Sequence, residues 1–72
     1  KLVIQCKNQQ SVSADVVIQT YGMATAETAH FAVVITTGVF TKDAKKFARE
    51  HSKDIVLIDR DKLTDLAKQY LI

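Results

Sequence analysis

Apolar positions along the chain fall into three short runs, Leu2-Val3-Ile4, Ala32-Val33-Val34-Ile35 and Ile55-Val56-Leu57-Ile58, separated by longer stretches of mixed character. Each run is rich in β-branched residues and too short for a buried helix, so each predicts a strand. The first turns polar at Gln5-Cys6-Lys7, as a buried strand does when its end emerges at an edge, and Asn8-Gln9-Gln10-Ser11 breaks it. The second runs from Phe31 to Thr36 without alternation, which predicts a strand covered on both faces, and Thr37-Gly38 closes it.

Between the strands the period changes to that of helices. Val12, Val16, Val17, Thr20 and Tyr21 follow helical spacing, with Ser13 as the expected cap, Asp15 in the first turn and Gly22 close to the end. The small residues from Met23 to Thr28 fit either a helical continuation or a loop. Ala44, Phe47, Ala48 and His51 recur at i, i+3, i+4 and i+7 behind a Thr41 cap. Leu63, Leu66, Ala67, Tyr70 and Leu71 share one face of a last helix opened by Asp59 or Asp61. The order β-α-β-α-β-α implies right-handed crossovers and an α/β class with a mostly parallel three-stranded sheet.

At 72 residues the chain holds one domain, spanning residues 1–72, near the lower size limit for a self-sufficient core. It has no internal repeat, low-complexity tract or proline linker. It opens on Lys1, directly ahead of an apolar strand, so it is expected to begin inside a longer domain. Ten Lys and Arg against eight Asp and Glu make charge permissive for nucleic acid without being diagnostic. Eight of the ten cations lie at or after Lys42, interleaved with six acids, which reads as solvated helix faces. The single cysteine, Cys6, forms no internal disulfide and fits a reducing, cytoplasmic compartment. No apolar run approaches the roughly 20 residues that span a bilayer, so no membrane partner is expected.

Gln5 and Lys7 are the pair with chemical meaning. Alternation puts both side chains on one face of a strand end. There one can help to place a divalent metal while the ammonium polarises an attacking water and offsets developing phosphate charge. The backbone carbonyl of Cys6, between them, is a further potential metal ligand. Asp59 lies two strands later and is not expected to be a ligand.

The order of several segments resembles the Mrr-type restriction endonuclease family. They are Val3-Ile4-Gln5-Cys6-Lys7, Tyr21-Gly22-Met23, Val33-Val34-Ile35-Thr36-Thr37-Gly38, Phe40-Thr41-Lys42-Asp43-Ala44, Leu57-Ile58-Asp59 and Leu63-Thr64-Asp65-Leu66. The resemblance covers nearly the whole chain. It implies part of a three-layer restriction-endonuclease-like fold and Mg²⁺-dependent cleavage of DNA, often modified DNA, with a metal-binding Asp on a strand preceding the Q-x-K strand. By position Gln5 matches the family's metal-site Gln and Lys7 its catalytic Lys, while the Asp has no counterpart in the chain. Two departures stand out: Arg60 replaces a usual Gly after Leu-Ile-Asp, and Asn8-Gln9 replaces a basic-aromatic pair after the Lys.

The expectation is therefore a DNA endonuclease domain lacking its N-terminal part and inactive as this piece, with a possible homo-oligomer formed through the exposed sheet edge. The alternative is a non-catalytic DNA- or protein-binding module that keeps the nuclease-like fold. A nucleotide-binding α/β domain is disfavoured by the lack of a Gly-rich phosphate loop. The plain readings of the remaining residues are a buried core position for Cys6, a helix C-terminal residue for His51 and an exposed one for His30. Thr36 and Thr37 sit where α/β ligand crevices open, but as strand threonines they need no function.

Overall fold

A computed structural model describes residues 1–70. Strands β1 (Leu2–Lys7), β3 (Phe31–Thr36) and β5 (Ile55–Ile58) form one sheet in the order β1-β3-β5, and every pairing is parallel. Two further strands, β2 (Ser11–Val12) and β4 (Val39–Phe40), pair in parallel with each other. Helices α1 (Ala14–Ala26), α2 (Lys42–Glu50) and α3 (Arg60–Tyr70) complete the chain. This is the expected α/β arrangement and fits a restriction-endonuclease-like fold. Leu71, expected on the apolar face of α3, lies outside the described residues.

Register fixes what each sheet face carries, because paired residues of neighbouring strands point the same way. One face bears Val3, Ala32 and Ile55, then Gln5, Val34 and Leu57, then Lys7 and Thr36. Its apolar members join Val17 and Ala24 of α1 and Ala44 of α2 in the core, so α1 and α2 cover this face. The opposite face bears Leu2 and Phe31, then Ile4, Val33 and Val56, then Cys6, Ile35 and Ile58. It is largely open at β1, where Leu2 is 56% and Ile4 54% exposed.

That asymmetry corrects two expectations. β3 is not covered on both faces: Ala32, Val34 and Thr36 are buried, while Phe31, Val33 and Ile35 are half-buried. Cys6 is exposed, not a core residue, because it points to the open face from a strand with a neighbour on one side only.

The helix boundaries follow from their caps. Thr41 accepts a hydrogen bond from the backbone N–H of Ala44 at 3.2 Å, a contact that stabilises a helix start by about 1 kcal/mol. Ser13 occupies the equivalent position before α1 with extended backbone but makes no side-chain cap. Asp59 caps α3 by accepting from Lys62 N–H at 2.9 Å. Gly22 does not end α1, which continues to Ala26 and closes in a Schellman turn. There Ala29 N–H donates to Ala24 and Thr28 N–H to Thr25, with Thr28 at φ 51°. No residue of α3 is buried, and Tyr70 is 74% exposed.

Candidate functional site

β1 is an edge strand, and its last residues are held by a seam of bonds to the end of β3. Lys7 pairs with Thr36, and its carbonyl accepts from Thr37 N–H at 3.4 Å. The Thr37 hydroxyl donates to Asn8 Oδ1 at 2.7 Å. Thr36, 1% exposed, donates its hydroxyl to the Gln9 carbonyl at 3.3 Å and accepts from Gly38 N–H at 3.1 Å. Beyond this crossing, Val39 N–H donates to Gln10 O and Thr41 N–H to Val12 O, both at 3.0 Å, so β2 and β4 prolong the same pair of strands. The two threonines of the ligand-crevice position are thus occupied in joining strand ends. The Asn8-Gln9 step, read as the loss of a phosphate contact, supplies two of the acceptors.

This seam sets the orientation of the Q-x-K tripeptide. Gln5 and Lys7 are both half-buried and lie on the helix-covered face, two residues apart and in line with Val3. Lys7 makes no ion pair among the described residues. Carbonyls alternate in direction along a strand, so with the Lys7 carbonyl facing β3 that of Cys6 points away from it, off the open edge of β1. An amide side chain and an ammonium therefore share one face at the end of an edge strand, and the carbonyl between them faces off its edge.

As a metal site this donor set falls short. Hard divalent cations take six or more oxygens, usually with carboxylate charge among them. Gln5 and the Cys6 carbonyl offer two neutral oxygens, and no group of three or more His, Cys, Asp or Glu side chains capable of holding a metal occurs among the described residues. Asp59 has one carboxylate oxygen committed to its helix cap. The residues present can contribute to a divalent site but do not by themselves constitute one.

The two histidines stand elsewhere. His51 follows α2, directs Nδ1 at the Phe47 carbonyl at 2.9 Å, and stacks on the Phe47 ring with centroids 4.1 Å apart. Tyr21 meets both rings, so His51 belongs to the packing between α1 and α2. His30 is exposed beside a cavity of about 270 Å³ that it lines with Tyr21, Thr28 and Asp54 among others. That cavity lies where β3 and β5 begin, at the end of the sheet opposite Lys7. No described helix is long and apolar enough to cross a membrane.

A family model of the Mrr catalytic type, described as restriction endonuclease, matches residues 1–67. No curated protein and no solved structure matches the chain.

Proposed function

Because the chain belongs to the Mrr-type restriction endonuclease family, we propose that it supplies one side of a site that hydrolyses phosphodiester bonds in DNA, with Lys7 as the catalytic ammonium and Gln5 as a metal-site ligand. The carrying observation is that Gln5 and Lys7 share one face at the end of an edge strand, with the Cys6 carbonyl between them facing off that edge. Restriction endonucleases use divalent metals, and Mg²⁺ is the ion we assign here; when bound, such an ion polarises the scissile phosphate and acidifies water. The chain's own part is simpler. The Lys7 ammonium donates hydrogen bonds to the attacking water and to a phosphoryl oxygen, holding the first in place and offsetting charge that grows on the second. The half-buried setting strengthens that interaction relative to bulk water.

The donor set motivates the second half of the proposal: the 72 residues are a portion of a larger nuclease domain, and the missing carboxylate comes from outside them. Incubated with plasmid DNA and Mg²⁺, the chain alone is expected to leave the DNA intact. Cleavage by the isolated chain that disappeared in Lys7→Ala would show a complete site and sink this part of the proposal. The shortage of carboxylates is also what favours the second reading, a non-catalytic module. A parent whose preceding strand carries a neutral residue in place of Asp would decide for it.

The open edge of β1 and the exposed Leu2, Ile4 and Cys6 support self-association of the chain, since unpaired strand edges beside apolar surface recruit further strands. Light scattering at high concentration is expected to show species larger than the 8.0 kDa monomer. A strict monomer would count against it.

A further inference from the structure

The charges of α2 are mixed in sequence but sorted in space. At about 100° per residue, Lys42, Lys45 and Arg49 fall within roughly 60° of one another on the helix surface. Asp43 and Glu50 fall together about 100° away, and Lys46 stands at the border between the two groups. The apolar stripe of Ala44, Phe47, Ala48 and His51 occupies the remaining side, with Phe47 and His51 meeting Tyr21 of α1 on the flank nearer the acids. The cations therefore face away from α1. None of them makes an ion pair among the described residues, and every exposed side chain of α2 is charged.

We propose that Lys42, Lys45 and Arg49 form a ridge that docks the phosphate backbone of double-stranded DNA. The inference rests on the DNA reading above and adds a surface to it. From Lys42 to Arg49 the helix rises roughly 10 Å, the axial span of about three phosphates of one strand. The ridge also starts at the right end of the molecule. α2 follows β4, which prolongs β3 beyond the Thr36 that pairs with Lys7, so Lys42 lies toward the Lys7 end of the sheet and Arg49 away from it. A membrane surface is the poorer match, because the exposed side of α2 offers no apolar side chain to enter the headgroup layer.

The test is fluorescence anisotropy of a labelled mixed-sequence duplex with the 72-residue chain between roughly 50 and 200 mM salt, the range over which phosphate contacts reveal themselves. The triple variant Lys42→Gln, Lys45→Gln, Arg49→Gln, checked by circular dichroism, is expected to bind at least about tenfold more weakly at the low end. Its plot of log affinity against log salt should be flatter by roughly two to three. Asp43→Asn with Glu50→Gln on the neighbouring flank should not weaken binding. An unchanged slope in the triple variant overturns the ridge and leaves the DNA reading standing, as does an equal loss in the acid variant. If the unaltered chain shows no salt-dependent binding to the duplex, or binds only phosphatidylserine vesicles, the DNA reading fails and the ridge fails with it.

Discussion

Replacing Gly38 with alanine is expected to cost about 2 to 4 kcal/mol of stability, a large share of what so small a domain has. Gly38 is not in the left-handed backbone region, so its need for glycine is one of space. A Cβ there would fall far inside van der Waals contact with the carbonyl oxygens of Gln9 and Gln10 and 2.6 Å from the Gln10 carbonyl carbon. All three are backbone atoms, which cannot turn aside as a long side chain can. Relief means parting the strand ends, and the bonds that join them go with it: Gly38 N–H to Thr36, Thr36 to Gln9, and Val39 N–H to Gln10. Arg60 N–H, which donates to the Gly38 carbonyl at 2.9 Å, ties the start of α3 to the same point. Losing two or three such bonds, some leaving buried groups unpaired, accounts for the magnitude at about 1 to 1.5 kcal/mol each. Urea unfolding followed by circular dichroism checks it, and a midpoint indistinguishable from that of the unaltered chain would falsify the crowding argument.

Gly38 also shows where sequence reading stops. Thr37-Gly38 is legible as a turn at the end of β3, but nothing in the sequence says that the turn lies against Gln9 and Gln10. That contact exists because β2 and β4 resume the pairing of β1 and β3 after three residues on one strand and two on the other. Two-residue strands are too short to carry a period, so Val12 reads as part of the following helix although it is a buried strand residue.

The three main strands and three helices are legible because each carries its own run or stripe. The end of α1 is not, because its left-handed closing residue is Thr28 instead of the usual glycine, and Gly22 advertises an end that does not come. Burial is legible only where a partner exists. Val33 and Ile35 have the side chains of a doubly covered strand, yet their face is only half-buried, and Cys6 is exposed on that same open side. At the candidate site, alternation alone puts Gln5 and Lys7 on one face. The direction of the Cys6 carbonyl needs the hydrogen bond from Thr37 to Lys7 before it can be stated. The segregation of cations on α2 was hidden by their interleaving with acids along the chain.

In a cleavage-competent parent containing this chain, Lys7→Ala is expected to lower kcat for DNA cleavage by about 10² to 10⁴ with little change in folding stability. The two halves of that expectation have separate causes. Lys7 stands at a strand end, only half-buried and without an ion pair among the described residues, so truncating it leaves no buried charge behind and disturbs no apolar packing. Its backbone pairing with Thr36 and Thr37 does not depend on the side chain. The rate effect is expected because, in the proposed role, the ammonium meets a charge that is larger in the transition state than in the bound substrate. kcat and kcat/KM should therefore fall together while KM stays close to its original value. Lys7→Arg keeps the charge but replaces a compact ammonium with a wider, planar group, so it should recover only part of the rate. Gln5→Ala should behave differently, shifting the metal concentration needed for half-maximal rate more than the rate at saturation, as expected for a neutral ligand among stronger ones. Single-turnover cleavage of a labelled duplex at several metal concentrations separates the three variants. A folded Lys7→Ala protein that cleaves at the unaltered rate would remove Lys7 from the chemistry and leave the end of β1 as a structural edge alone.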